Sequence, residues 1–276
     1  MLDLTILAIT AHPDDEGSCG GCLSKYAAEG ARVYVACATR GDGVDAQIKD
    51  PTVATRETLA QARSQELICA CEKLGIQPPL FLGYQDGEVD KVPVEDAARY
   101  VARLIRELKT SIVATHDPLG GYGHPDHIAV SNFVTRAFDL ASDPAVELGR
   151  PPFQPAKLYY WAFPRSFMEK APAFRDRRAD IRGKKLGFVG VPDEQITTEI
   201  AIHDLLPTKL AALACHRTQF EMDENGQPKT FAAAVPEELR LEMFGHERFI
   251  LAKAAIAKSK AAPNQPKEDD WLAGLR

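Results

Sequence analysis

The sequence has no run approaching the roughly 18 uncharged apolar residues of a membrane-spanning helix. Its first residues, Met1-Leu2-Asp3-Leu4, lack the basic segment and apolar stretch of a secretory leader. The expectation is a cytoplasmic protein with no membrane span. An excess of basic residues is also missing: 33 Lys and Arg stand against 39 Asp and Glu, a net charge of −6. That balance argues against a polyanion-binding surface, so nucleic acid is not an expected partner. Cys19-Gly20-Gly21-Cys22 has no second C-x-x-C to complete a four-cysteine metal site. Six cysteines in 276 residues do not make the disulfide framework of a small secreted domain, and most are expected as buried thiols. Internal repeats are absent. So is the G-x-G-x-x-G fingerprint of a dinucleotide-binding turn: acids precede the early glycines, where a pyrophosphate would be repelled.

What is present is an alternation of two hydrophobic periods. "LTILAIT" (4–10), "RVYVACA" (32–38), "PLFLG" (79–83) and "SIVATH" (111–116) are short apolar runs with few charges, as in strands buried on both faces. Between them, "GGCLSKYAAEG", "RETLAQARSQELICACEKLG" and "VEDAARYVARLIRELK" have helical spacing, the first two ending in a glycine suited to a helix C-terminus. "HPDHIAVSNFVTRAFDLA" reads as a fourth helix. This pattern predicts an α/β fold: a Rossmann-like, mostly parallel sheet flanked by helices, with right-handed crossovers. Frequent prolines after residue 150 predict a loop-rich α/β C-terminal elaboration, in which "KLYYWAF" and "QITTEIAI" read as strands, "LLPTKLAALACHR" as a helix and "ERFILAKA" as either. The expected organisation is one domain over 1–276. Residues 1–145 form a Rossmann-like metal-binding half, 146–257 a substrate-cleft elaboration and 258–276 a polar tail closed by the apolar "WLAGL".

Two loops at the carboxyl ends of predicted strands carry unusual chemistry. In "AHPDDEGSCGG", three acids in a row repel one another and call for a positive partner; "THDPLGGYGHPDH" packs His116, Asp117, Tyr122, His124, Asp126 and His127 into a dozen residues. His12 and Asp15, aimed by the Pro13 turn, joined by His127 from the second loop, would make a two-histidine, one-carboxylate shell with an open position. That set suits catalytic zinc, with Fe2+ or Co2+ as alternatives, and suits magnesium poorly. Each motif has a plain structural alternative. HPDD can be a helix N-cap and HPDH a proline-started helix with surface histidines; the spacing of HPDH also permits His124 as a further ligand.

"AHPDDE" followed by a glycine pair, with "GGYGHPDH" after the fourth strand, resembles the PIG-L/LmbE-like family of zinc-dependent N-acetylglucosaminyl de-N-acetylases. "TRGDG", "RSQELICACEKLGI", "FLGYQDGEV", "KLAALACHRTQF" and "DDWLAGL" extend the resemblance over most of the chain. It implies His12, Asp15 and His127 as metal ligands and Asp14 as general base. It also implies His124 as the acid facing the substrate carbonyl, Asp126 as its tuner, and Tyr122 on the oxyanion side. Arg63 and Asp86 match substrate-contacting positions, and Arg40 and Asp42 lie on another sheet-end loop. The plain alternatives are an exposed helical pair of Arg63 with Glu66 and a turn at Asp86-Gly87. His216 reads as a supporting or helix-end residue, and His203 and His246 as solvent-facing or capping. The small residues Gly17-Ser18-Cys19 suggest a widened rim with Cys19 near the metal. The implied partner is a small N-acetylated amino-sugar conjugate, and the chain is compatible with a homo-oligomer. An amidase of a thiol S-conjugate would use the same centre, and a non-catalytic metal-binding protein would leave Asp14 and His124 without a task.

Overall fold

The computed structural model describes residues 4–170, 175–176, 178–225, 228–229, 235, 237–256 and 267–275. Strand β1 (Thr5–Thr10) is followed by α1 (Gly20–Ala28), β2 (Arg32–Cys37), α2 (Leu59–Leu74), β3 (Leu80–Phe81), α3 (Val94–Leu108), β4 (Ile112–Thr115) and α4 (Pro125–Ser142). Then come β5 (Lys157–Trp161), α5 (Arg165–Lys170), a small hairpin β6 (Ala179–Ile181) and β7 (Lys184–Leu186), β8 (Thr198–Ala201), α6 (Leu206–Leu213), α7 (Glu237–Phe244) and β9 (His246–Ala254).

The main sheet has the order β3-β2-β1-β4-β5-β9-β8. The first five are parallel, and β9 and β8 extend the sheet antiparallel. β1 is the middle one of the five parallel strands, and every residue in it is buried. Ile6 and Ala8 pack with α1 and Leu67 of α2 on one face, and Leu7 and Ile9 with α3 and α4 on the other. Each buried Ile or Leu contributes about 1.5–3 kcal/mol, enough to override strand-propensity differences of about 1 kcal/mol. The strand order reverses at β1, where β2 lies on one side and β4 on the other, so the loops leaving β1 and β4 flank one crevice at the carboxyl edge.

The structure sharpens three local expectations. "ERFILAKA" is a strand, pairing with β5 and β8 as its side chains alternate between buried and part-buried. The end of the polar tail is built into the core: Trp271 stacks between Tyr26 and Tyr159, with centroids 5.4 Å from each. Glu268 joins the edge of β8 and pairs with the buried Lys157. Residues 257–266 of that tail lie outside the described residues. Four cysteines, at 19, 22, 37 and 71, are buried thiols. Cys69 and Cys215, however, form a disulfide between α2 and the end of α6, 146 residues apart. Among the described residues no helix is long and apolar enough to cross a membrane.

Candidate metal centre

The loop after β1 organises itself through Asp15. One oxygen of its carboxylate, Oδ2, accepts the backbone N–H groups of Ala11 (3.1 Å) and His12 (2.7 Å). This folds the chain back and turns the His12 ring and the second Asp15 oxygen toward the crevice. The loop after β4 ends in α4, which starts with Pro125 after an extended His124 whose Nδ1 accepts the N–H of Asp126 at 3.2 Å. The proline-started, capped helix of the plain reading is therefore real. Its histidines are not on the surface: His124 and His127 are 7% and 5% exposed.

These loops bring His12, Asp15 and His127 together, with Asp15 meeting the two rings through different oxygens. His12 Nδ1 lies 3.1 Å from His127 Nε2, His127 Nε2 lies 3.4 Å from Asp15 Oδ1, and His12 Nδ1 lies 3.6 Å from Asp15 Oδ2. Ligands about 2.0–2.1 Å from one tetrahedral ion sit about 3.3–3.4 Å from each other, and the 3.1 Å and 3.4 Å separations that meet at His127 Nε2 are of that size. Two ring nitrogens facing each other beside a part-buried carboxylate can share a proton or a cation. The His12 ring is fixed from behind, its Nε2 lying 3.1 Å from Asp86 Oδ1 and 3.4 Å from Asp126 Oδ2. A carboxylate behind a ligating histidine sets its tautomer and raises its basicity.

This geometry revises two sequence readings. Asp86 touches His12, and its other oxygen accepts the N–H of Gly43 at 2.7 Å, so both of its oxygens are engaged by protein. Asp126 is fully buried and accepts from Gly87 (2.8 Å) and Val89 (3.2 Å). Its carboxylate meets His12 rather than His124, because the turn after β3 inserts its amides there. His116, which the sequence reading did not select, stacks on His127 with centroids 4.0 Å apart, and its Nε2 lies 3.4 Å from Asp15 Oδ2. The available signal was its position as the last residue of the β4 run. Overlapping sets able to hold an ion therefore surround the centre: His12, His124 and His127; Asp15, His116 and His127; His12, Asp86 and Asp126.

Charge is distributed to match. Burial opposes ionisation of Asp15, but His127 and His116 beside it hold its carboxyl well below the usual range. Burial likewise pulls His12 down, and Asp126, Asp15 and Asp86 together outweigh it, leaving the ring well above an ordinary histidine. His127 is pushed down by burial. His124 is held at about 4 by burial and the His12 charge, which outweigh the nearby Asp126. Burial and the His12 charge thus pull His124 away from the cationic form that the resemblance implies for it. With Nδ1 accepting from Asp126, the ring proton is assigned to Nε2.

Asp14 points elsewhere than Asp15. Its backbone adopts φ 125°, ψ −20°, a conformation costing a non-glycine residue on the order of 1–3 kcal/mol. Burial pushes its carboxyl up to about 6, against the pull of Arg63. Its side chain still keeps 29% exposure. Arg63 is not half of an exposed pair with Glu66. It is buried, and its guanidinium donates to the Gly41 carbonyl (2.8 Å), the Pro13 carbonyl and Asp14 Oδ1 (3.1 Å). Glu66 instead accepts from Thr218.

The remaining candidates spread around this core. Tyr122 sits edge-on to His124 and His127, at 5.7 and 5.5 Å, and packs on Phe188. Arg40 turns its guanidinium over Phe81 and donates to Ser64 Oγ at 2.7 Å. Asp42 is half-buried between Gly41 and Gly43. Cys19 is fully buried in the core, its thiol pushed up by burial, so it forms no rim to the centre. His203 is exposed and meets His246 edge-on at 4.5 Å. From the later half, Arg182 at the β6–β7 turn pairs with Asp90 and donates to the Gly87 carbonyl, and its N–H reaches Asp45 Oδ2 at 3.1 Å. This lays the hairpin across the loops that hold Asp86 and Asp126. A separate depression of about 320 Å³ beside Arg106 opens at the opposite edge of the sheet, and the Arg106 donors there are spent on backbone carbonyls.

Residues 7–138 match the model of the PIG-L family, described as GlcNAc-PI de-N-acetylase. The chain is 36% identical over 274 residues to 1D-myo-inositol 2-acetamido-2-deoxy-alpha-D-glucopyranoside deacetylase of Thermomonospora curvata, covering 90% of each chain. Among solved structures, N,N'-diacetylchitobiose deacetylase from Pyrococcus horikoshii superposes with a TM-score of 0.60 at 21% identity, covering 79% of this chain and 71% of that one. A 4-carboxy-2-hydroxymuconate hydratase from Pseudomonas putida KT2440 gives 0.64 at 17% identity, covering 92% and 98%. Those structural likenesses establish the fold, which carries more than one chemistry. The sequence identity reaches further, and on it this chain belongs to the PIG-L family, whose model bears the description GlcNAc-PI de-N-acetylase.

Proposed function

We propose that this protein is a zinc-dependent amide hydrolase that removes the acetyl group from a small N-acetylglucosamine conjugate, with a GlcNAc-inositol as the first candidate. The observation that carries this reading is the meeting of His12 Nδ1 with His127 Nε2 at 3.1 Å, each ring within 3.6 Å of an Asp15 oxygen, beside the part-exposed carboxylate of Asp14. The relative from Thermomonospora curvata, named for deacetylating a glucosaminyl-inositol, supports the substrate class.

In this reading His12, Asp15 and His127 hold the ion, and Asp86 and Asp126 hold His12. Zinc, when bound there, polarises the acetamide carbonyl and lowers the pKa of water toward about 7. Asp14 takes the proton of the water whose oxygen attacks the carbonyl carbon. His124 donates its Nε2–H to the carbonyl oxygen as negative charge develops, and works as a neutral donor because its Nδ1 is occupied by the Asp126 amide. As the C–N bond breaks, the proton held by Asp14 passes to the departing amine, leaving acetate and a free amino sugar. Tyr122 borders the same oxygen. Arg63 steadies the Asp14 carboxylate rather than the sugar, and Asp42, half-buried, is the carboxylate assigned to sugar hydroxyls in this reading.

The test is a panel of GlcNAc-inositol, N-acetylglucosamine, N,N'-diacetylchitobiose and a thiol S-conjugate, incubated with zinc-loaded protein and read as released acetate and free amine. The expected result is turnover of GlcNAc-inositol in preference to the others. Turnover of the S-conjugate alone would replace the substrate class, and no release from any member would overturn the reading.

A further inference from the structure

Asp14 is held in its costly backbone conformation by groups the mechanism does not use. Its N–H donates to Glu16 Oε2 at 3.0 Å, and its carbonyl accepts from Gly17 N–H at 3.1 Å. The other oxygen of Glu16 lies 2.6 Å from His216 Nε2. Both side chains are wholly excluded from solvent, at 0–1% exposure, although they are 200 residues apart. A buried carboxylate with one oxygen on a backbone amide and the other on an imidazole has no freedom to turn. The strained peptide is therefore tied to wherever His216 is fixed.

His216 is fixed on both sides to one helix. Cys215 is bonded to Cys69 of α2, and Thr218 donates both its N–H and its hydroxyl to Glu66 of α2, each at 2.7 Å. The same helix supplies Arg63, whose guanidinium grips the Pro13 carbonyl and the Asp14 carboxylate. Positions 63, 66 and 69 are three apart, so they project from one side of α2. Asp14 is thus held twice from α2, directly through Arg63 and indirectly through Glu66 and Cys69, then His216, then Glu16.

We propose that Glu16 and His216 are positioning residues for the reaction: the pair holds the Asp14 backbone so that its carboxylate faces the water and the leaving amine. This rests on the reading of Asp14 as the base. Misplacing a reacting group by about 1 Å costs on the order of 10²-fold, and losing a supporting partner of a site residue about 10- to 100-fold.

The experiment compares His216→Ala, His216→Gln and Glu16→Gln in the full-length protein, each alone and combined with Asp14→Asn, with kcat, KM, metal affinity and a crystal structure for each. His216→Ala is expected to lower kcat about 10- to 100-fold while KM and metal affinity stay within about threefold. His216→Gln, whose amide still reaches Glu16, should recover most of that loss. Added to Asp14→Asn, His216→Ala should cost less than about twofold more, because a residue acting through Asp14 has nothing left to position. In the His216→Ala structure the φ of residue 14 should leave the positive region. Should His216→Ala fail to fold, Glu16→Gln, nearly the same shape, carries the same expectations. An unchanged kcat, losses that multiply in the double variant, or a residue 14 that keeps its backbone would each overturn the proposal. If Asp14→Asn alone keeps full activity, the base assignment falls, and the backbone of residue 14 in the His216→Ala crystal still decides whether the pair holds it.

Discussion

The two loops that meet at the centre are built in different ways. The loop after β1 starts locally, Asp15 accepting the amides of Ala11 and His12 within five residues, and is then gripped at Pro13 and Asp14 by Arg63 of α2. The loop after β4 is held from outside. Its Asp126 is anchored by Gly87 and Val89, and its His116 lies between His127 and Trp161. Local hydrogen bonding suffices to aim a ligand, whereas orienting the ligand rings and holding the base draws on distant chain segments. The first kind of constraint repeats as a motif. The second exists only once the sheet has formed.

Breaking the comparison at the ligands gives the largest effects. His12→Ala and His127→Ala should each abolish high-affinity metal binding and with it turnover. Asp15→Ala should do the same and also unfold the turn, because two amides lose their acceptor; elemental analysis and hydrogen exchange of the Ala11 and His12 amides separate these. Full metal occupancy in any of the three would refute the shell.

Next in size is Asp14→Asn, expected to keep the metal and lose about 10²- to 10⁴-fold in kcat. Because burial raises Asp14 to about 6, kcat/KM should climb as pH rises through that region and the carboxyl loses its proton. A bound cation moves this limb lower, not higher, and Asp14→Asn should abolish it. A limb that survives the substitution belongs to another group.

His124→Ala should follow, losing about 10²- to 10³-fold as expected of one oxyanion donor, with metal content unchanged. Loss of the metal instead would move His124 into the coordination shell, an arrangement its ring contacts with His12 and His127 permit. Asp126→Asn tests the externally held loop. It should weaken metal affinity about 10- to 100-fold through His12, with little change in the pH limb assigned to Asp14. The smallest effect belongs to Arg40→Ala, expected to change kcat/KM less than about threefold, since its guanidinium is engaged by Phe81 and Ser64.

How much of this was legible follows from the range of the forces involved. The runs at 4–10, 32–38 and 111–116 became β1, β2 and β4 because strands buried on both faces must be apolar throughout. "ERFILAKA" was ambiguous because β9 is only half-buried, and its alternation is too weak to separate strand from helix. Arg63 read as a substrate contact or half of an exposed helical pair, because helical spacing shows which residues share a face and not what lies against it. Cys69 and Cys215 showed no signal, since a pairing across 146 residues leaves no local pattern.

The sequence by itself determined the alternation of strands and helices, and from it the mostly parallel sheet. It also determined the metal-ligand residue types on two loops at the carboxyl ends of strands, because hydrophobic period and short-range hydrogen bonding act between near neighbours in the chain. Only the tertiary structure decided that Asp86 and Asp126 stand behind His12, that His116 stacks on His127, that His124 is buried, and that Arg63 of α2 reaches Asp14. Each of these depends on burial and on contacts between residues far apart in sequence, and such contacts exist only when packing brings the segments together.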